Sequence, residues 1–311
     1  MAEPGEWRHG WQFHACSHIN THFREQVLMP SLTPDGKAML RSASGLKSGA
    51  WMTAMPTEKG LQLEPRRFQV ALRRRLRLPL PLVHRLCRQA DLPGCHLQLD
   101  TLGDHLAACP RTGLLARRAG PIERAWTRVS REAGGRVVHK QLLRDTNIPL
   151  DNPRDRRQLD LVAYGLSPTG VAYCCDATMV SPLTREGVPR PHAAVEDGVA
   201  IKRAIETKMN TYPELQHSPF GELVVLACEV GGRWGDAATK YVAQLVRQRV
   251  RSAPALMRSS AGAAWRSRWW GLLSIAAQDA LAASLLREGH RALGGAAGHD
   301  EPCLADVLGG V

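Results

Sequence analysis

Hydrophobic and polar residues are arranged along the chain in a pattern that predicts four β-strands set between helices. Apolar runs of strand length, each bounded by turn residues, occupy positions 136–143, 158–164, 171–180 and 222–229. Helical spacing of apolar residues fits positions 64–78, 121–133, 194–212, 236–251 and 255–290. A helix followed by three strands and then by a strand–helix–strand connection indicates a mixed α/β core with helices flanking the sheet.

Composition divides the chain into four parts around that core. Residues 1–60 hold turn signals and short helical stretches, and residues 61–119 combine a basic helix with a segment that contains cysteine and histidine. The core is expected over residues 120–252, with Pro121 near the first turn of its opening helix. Residues 253–311 predict a helical extension that ends in a fraying tail rich in Gly and Ala.

Positive charge is concentrated in one stretch of the chain. Lys and Arg number 41 against 29 Asp and Glu, a formal net charge of +12, and residues 61–144 hold 17 of those bases but 6 of the acids. This favours a polyanionic partner, DNA or RNA, and a solvated basic face is the alternative. No apolar run approaches the roughly 18 residues of a membrane span, so no membrane partner is expected. The predicted phosphate contacts are Arg66, Arg67, Arg73, Arg74, Arg75, Arg77, Arg117 and Arg118.

Two of the predicted strands each carry one acid, Asp160 and Asp176, among apolar residues. A carboxylate buried without a partner is costly, so such acids usually have a counter-ion or a metal ion. A turn at residues 167–170 lets the two strands lie side by side, and paired carboxylates suit Mg²⁺. The alternative is that each acid pairs with an arginine such as Arg156 or Arg157.

The predicted helix after the third strand carries Lys208 and Tyr212, which are four positions apart and therefore share a helix face. A lysine near two metal-binding carboxylates can polarise the attacking water or stabilise a pentavalent phosphate. The alternative is a solvated lysine beside a packed tyrosine.

Several of these features together resemble a known domain. They are Asp160, Asp176, the Lys208–Tyr212 pair, the upstream basic helix, Gly103-Asp104-His105 followed by Cys109, and Gly231-Gly232-Arg233-Trp234-Gly235. The set is similar to the restriction-endonuclease-like, or PD-(D/E)xK, domain at the C-terminus of site-specific LINE-type non-LTR retrotransposon proteins. The similarity covers about residues 45–250 and implies a restriction-endonuclease-like core that cleaves DNA.

The resemblance implies a Mg²⁺ or Mn²⁺ site. Asp160 and Asp176 would hold the ion, and Glu123 on the preceding helix would add a third carboxylate. Glu132 is the alternative to Glu123, and either glutamate can instead be an ordinary surface acid. The sequence departs from the family at Leu159, where a proline is usual before the first acid.

The resemblance also implies a catalytic role for Lys208, since the lysine that usually follows the second acid is replaced by Thr178. This group of proteins commonly carries that lysine on the helix, with Lys202 as the second choice here. Tyr212 would position the phosphate or the lysine.

A zinc knuckle is the third feature implied by the resemblance. Cys95, His105 and Cys109 fit the last three positions of its pattern, and Cys87 substitutes for the missing first cysteine. Thiolate and imidazole ligands favour tetrahedral Zn²⁺. Because the spacing is uneven, a degraded knuckle without metal is the alternative.

The resemblance finally implies the partners of the protein. They are a target DNA duplex and the RNA of the element. A separate reverse transcriptase is a further expected partner, because the chain has no Asp-Asp dipeptide of the kind a polymerase carries. The chain looks like the detached C-terminal part of such a protein, and nuclear localisation is expected. The alternatives are a catalytically dead nucleic-acid-binding remnant of the element and a structural scaffold with a basic face.

Overall fold

The structure, a computed structural model, describes residues 10–82, 86–87, 94–216 and 218–286. The predicted end of the last helix at residue 290 and the predicted tail lie outside the described residues. Within the described ranges the strands are β1 (Arg136–Leu142), β2 (Gln158–Tyr164), β3 (Ala172–Val180) and β4 (Gly221–Glu229). The helices are α1 (Trp11–His22), α2 (Met29–Ser31), α3 (Pro34–Ser42), α4 (Ala50–Thr53), α5 (Pro65–Arg75), α6 (Asp104–Ala108), α7 (Leu114–Glu132), α8 (Val199–Thr211), α9 (Asp236–Arg249) and α10 (Arg258–Leu285).

The four strands form one mixed sheet in the order β1-β2-β3-β4. β1 and β3 are both antiparallel to β2, whereas β4 is parallel to β3. A parallel pair needs a crossover connection, and α8 lies in the connection between β3 and β4. The predicted mixed α/β fold with helices flanking a mixed sheet is therefore confirmed.

Side chains of β3 alternate between two layers of the fold. Cys175 and Ala177 lie in the main core, which α7, α9 and α10 cover. Cys174 points to the other side and packs with Tyr212, and α8 covers β4 on that side. Because helices cover both faces, the central strands are apolar at nearly every position, and an acid in them is conspicuous.

One helix boundary differs from the prediction in a way that concerns the site. α7 begins at Leu114, so the placement of Pro121 near a first turn is wrong, and Pro121 lies inside the helix. Gly113, with a φ of 68°, starts the helix, and burial of Leu114 and Arg118 stabilises the turns before the proline. The longer α7 connects the Cys/His segment directly to the sheet.

The segments on either side of the core pack closely against it. The N–H of Gly231, after β4, donates to Ser42 Oγ of α3 at 3.0 Å, and a Cβ at Gly231 would lie 2.5 Å from the Ser42 carbonyl carbon. α10 buries Trp269 and Trp270 and contacts α4, α5, α6, α7 and α9. None of the helices in the described ranges combines the length and hydrophobicity needed to cross a membrane.

Candidate functional site

Asp160 and Asp176 lie on neighbouring antiparallel strands. β2 and β3 pair with Leu161 opposite Cys175, and the next position in that register sets Asp160 opposite Asp176. Asp160 Oδ2 accepts a hydrogen bond from the backbone N–H of Ala177 at 2.8 Å. The structure thus places the two predicted metal-binding acids side by side.

The carboxylate of Asp176 is buried, and its two oxygens have different surroundings. Oδ2 lies 2.8 Å from Lys208 Nζ and 3.3 Å from the hydroxyl of Tyr212, which also lies 2.8 Å from the carbonyl oxygen of Gln158. Oδ1 is buried and accepts no hydrogen bond from any described residue. Burial raises the pKa of Asp176 and the charge of Asp160 adds to the rise, although Lys208 opposes it. The structure therefore brings Lys208 of α8, and Tyr212 directly after that helix, to the second acid.

A second lysine, Lys140 of β1, belongs to the same cluster and was not predicted. Its Nζ lies 2.6 Å from Glu123 Oε1 and 2.7 Å from Asp160 Oδ1, so it joins α7 to β2. Glu123 is almost fully buried, and its Oε2 lies 3.2 Å from His139 Nε2. Glu123 is thus beside the predicted acids, and the cluster contains three carboxylates and two lysines.

The alternatives weighed for the site lie elsewhere. Lys202 is exposed and lies 3.7 Å from Glu196. Glu132 accepts hydrogen bonds from Arg128 and from α10. Arg157, an alternative partner for the acids, pairs with Glu214 instead.

A buried glutamate lies at the N-terminus of α8, the helix that carries Lys208. Glu229 is buried at the end of β4, and burial raises its pKa. Ser42, Arg233 and the backbone N–H groups of Ala200 and Ile201 act against that rise. Those two N–H groups belong to the first turn of α8, so the carboxylate of Glu229 lies near the positive end of the helix that carries Lys208.

A separate cluster contains the four predicted zinc ligands. Ligand atoms of Cys87, Cys95, His105 and Cys109 all lie within 4.8 Å of one another, with 3.8 Å between the sulfurs of Cys87 and Cys109 and 3.3 Å from Cys95 Sγ to His105 Nε2. Zinc bonds of about 2.3 Å to sulfur and about 2.0 Å to nitrogen place tetrahedral ligands about 3.5–3.8 Å apart. The cluster could therefore hold a metal ion such as zinc.

Local hydrogen bonds shape the segment that carries these ligands. The carboxylate of Asp100 accepts from the backbone N–H groups of Leu102, Asp104 and His105, which fixes the start of α6. The N–H of Cys109 then donates to the carbonyl of His105 at 2.8 Å. The last two ligands are thereby held at the two ends of one helical turn.

The thiols of the cluster differ in acidity. Burial raises the pKa of Cys87 to about 12. Burial also acts to raise the pKa of Cys95, but hydrogen bonds from the Leu97 N–H and from the thiols of Cys87 and Cys109 lower it overall. Because metal ions bind thiolates, a metal ion entering the cluster must displace the proton of Cys87.

Two arginines of the basic helix attach it to the Cys/His segment. Arg74 is buried and lies 3.2 Å from Asp104 Oδ1, while Arg77 lies 2.6 Å from Asp104 Oδ2 and 2.8 Å from Asp35. A guanidinium that is buried against a carboxylate is not available to a phosphate. The prediction that Arg74 contacts phosphate is therefore wrong.

Arg118 also has an internal role. It is buried in α7 and donates to the carbonyl oxygens of Leu106 and Ala107 and to Ser284 Oγ, at 2.7–2.8 Å. The two carbonyls belong to α6, so Arg118 binds the end of the helix that carries His105. Its predicted phosphate contact is wrong for the same reason as that of Arg74.

Of the other predicted phosphate contacts, three arginines make contacts within the protein and two are exposed. Arg67 pairs with Asp279 of α10 at 2.9 Å, and the side chains of Arg73 and Arg75 donate to backbone carbonyls. Arg66 and Arg117 are exposed, and for them phosphate contact stays a prediction.

The molecule therefore presents two clusters with different donor atoms. Carboxylates and amines from α7, β1, β2, β3 and α8 form one cluster, whereas sulfur and nitrogen ligands meet beside α6. The chain matches no protein-family model and has no significant match among curated proteins.

Proposed function

We propose that this protein is a divalent-metal-dependent DNA endonuclease that nicks one strand by phosphodiester hydrolysis. The observation that carries the proposal is Asp176, a buried carboxylate with Lys208 on one oxygen and no donor on the other. An unpartnered buried carboxylate oxygen is costly unless a cation binds it. Asp160 on the next strand adds a second carboxylate to the same place.

The topology supports a restriction-endonuclease-like core. A helix, three strands, a helix and a strand follow one another as α7, β1, β2, β3, α8 and β4. The resemblance to the C-terminal domain of LINE-type retrotransposon proteins rests on residues that this order carries, among them Asp160 on β2, Asp176 on β3 and Lys208 on α8. Both acids lie in its central strands, and the lysine lies on its crossover helix.

The donor atoms of the cluster fit Mg²⁺ or Mn²⁺. Asp160, Asp176 and Glu123 offer only oxygen ligands, which these hard cations prefer. Oδ1 of Asp176 is a buried oxygen with no hydrogen bond from any described residue, and a cation bound there would satisfy it. A bound ion would polarise the phosphate and acidify a nearby water molecule.

The side chains of the protein supply the remaining functions. Lys208 is 30% exposed, so its ammonium can reach a phosphate oxygen while it stays bound to Asp176. There it offsets the negative charge that develops in the transition state. Tyr212 bridges Gln158 and Asp176, and it thereby orients the carboxylate and the end of α8.

The proposed partner is duplex DNA in the nucleus. Exposed Arg66 and Arg117 supply phosphate contacts, and the Cys/His cluster, with Zn²⁺ bound, holds the segment between them in shape. The RNA of an element and a separate reverse transcriptase are further partners under this proposal.

Nicking of supercoiled plasmid in Mg²⁺ tests the proposal. We expect the wild-type protein to nick, and Asp176→Asn to be slower by roughly a hundredfold or more, because an electrostatic group at the reacting centre is lost. Asp279→Asn is the matched control, since Asp279 of α10 lies outside the cluster, where it pairs with Arg67 of α5. Equal rates in wild type and Asp176→Asn, or no nicking by wild type, would refute the proposal.

Binding of DNA without cleavage is the second candidate. Two observations favour it: Lys140 neutralises two of the acids, and Thr178 stands where a lysine is usual. Fluorescence anisotropy with labelled duplex would then show affinity that falls steeply with salt, while plasmid stays intact.

A further inference from the structure

Lys140 is the residue of β1 whose backbone departs from the strand. Its φ of 55° lies in the left-handed region, which residues other than glycine rarely adopt. The adjacent residues His139 and Gln141 nevertheless pair regularly with β2. Backbone strain of this kind persists only where surrounding contacts hold a residue in place, and it is concentrated at functional sites. The side-chain contacts of Lys140 identify what holds it.

The ammonium of Lys140 lies between two carboxylates that the proposed function assigns to the metal. Nζ is within 2.7 Å of both Glu123 Oε1 and Asp160 Oδ1. The Glu123 side chain is only 1% exposed, so it is cut off from water and depends on a charge supplied by the protein.

A tethered ammonium and a divalent ion compete for the same oxygens. Either cation can neutralise Glu123 and Asp160. The ammonium and the metal ion repel each other, so they cannot both occupy the space between these two carboxylates. The side chain of Lys140 is 39% exposed, so the ammonium can turn into solvent without crossing the core. Exchange of the two cations therefore needs only a side-chain rotation.

We infer that Lys140 is a built-in counter-ion, which occupies part of the divalent-metal site in the metal-free protein and is displaced when the ion binds. The inference rests on the proposed function and concerns the regulation of that same site. Lys140 is a positioning residue: it keeps Glu123 neutralised without metal and sets the concentration at which the ion enters.

Mn²⁺ binding to the full chain, measured by the electron paramagnetic resonance of free Mn²⁺, tests this. Lys140→Met removes the ammonium, and Lys140→Gly also relieves the left-handed backbone, so it is expected to fold. Both should bind Mn²⁺ at least about tenfold more tightly, because a competing charge-assisted hydrogen bond is worth a factor of that order. Lys202→Met, which removes an exposed lysine of α8, is the matched control and should bind as wild type does.

Thermal unfolding provides a second readout that does not depend on cleavage. In EDTA, Lys140→Met should unfold at a lower temperature than wild type, and Mn²⁺ should raise its midpoint by more. Unchanged or weaker Mn²⁺ affinity in both Lys140 variants would overturn the inference, whether or not the wild type nicks DNA. Tighter binding by the variants, together with a wild type that never nicks, would overturn the nuclease proposal alone.

Discussion

The buried carboxylate of Asp176 should make the stability of the protein fall as the pH rises. Its pKa is raised in the folded state by burial, from an ordinary value of 3.8. The folded state therefore binds this proton more tightly than the unfolded state does. The stabilisation is complete below the unfolded pKa, near 3.8, and is lost as the pH rises through the folded pKa.

The magnitude follows from one proton. Between the unfolded and folded pKa values, the free energy of unfolding falls by at most about 1.4 kcal/mol per pH unit because of this group. Asp176→Asn keeps the shape of the side chain but cannot titrate. The difference in unfolding free energy between variant and wild type should therefore shift in favour of the variant as the pH rises above about 4. This holds whichever of the two proteins is more stable at a single pH.

Urea denaturation in EDTA, from pH 4.5 to 8, measures this difference. Asp155→Asn is the control, since hydrogen bonds from Arg157 lower the pKa of Asp155. The stabilisation by ionised Asp155 is therefore complete above pH 3.8, its ordinary pKa, and the difference in stability from wild type should not change with pH in this range. Glu229→Gln should follow the Asp176→Asn trend, because burial raises the pKa of Glu229 too. A flat curve for Asp176→Asn, or one that turns in favour of wild type with rising pH, would refute the reasoning.

Three further predictions concern packing, the Cys/His cluster and the buried arginine. Gly231→Ala should destabilise the protein by about 1–3 kcal/mol in urea denaturation, because the added Cβ meets backbone atoms of α3. Gly262→Ala, inside α10 with ordinary contacts, should stabilise it by about 0.5–1 kcal/mol, and equal effects of the two would contradict the close approach. Atomic absorption should detect zinc in the wild type and none in Cys109→Ser, and equal zinc in both would exclude Cys109 as a ligand. Arg118→Met should lose about 2–4 kcal/mol with its three hydrogen bonds, whereas Arg66→Met should change stability by less than about 0.5 kcal/mol but weaken DNA binding.

The strands and the two strand acids could be predicted because their signals are local. β2 begins and ends at the residues that the apolar run predicted. A single acid in such a run stands out against its neighbours, which is why Asp160 and Asp176 were found. The choice of Lys208 came from the family resemblance, because spacing alone showed only that Lys208 and Tyr212 share a helix face.

Lys140 could not be predicted, because a lysine in a strand ordinarily indicates a solvent-facing position. Its contact with Glu123 depends on a left-handed backbone and on the packing of α7 against the sheet. Neither leaves a pattern in the spacing of hydrophobic residues.

The arginines show a limit of counting charges. Arg67 is bound by an acid 212 positions away, and Arg77 by acids 27 and 42 positions away. A net charge of one stretch does not reveal such partners, because they lie in other parts of the chain. The excess of arginine in residues 61–144 therefore includes charges that hold α5 to its neighbours.

The course of α10 has a consequence for how the protein can be divided. With 28 residues the helix is about 42 Å long, and it contacts the N-terminal helices, the Cys/His segment and the sheet-covering helices in turn. A fragment that stops at residue 252 would expose the partners of Trp269 and Trp270. We therefore expect the carboxylate–lysine cluster and the Cys/His cluster to melt together in a single cooperative transition.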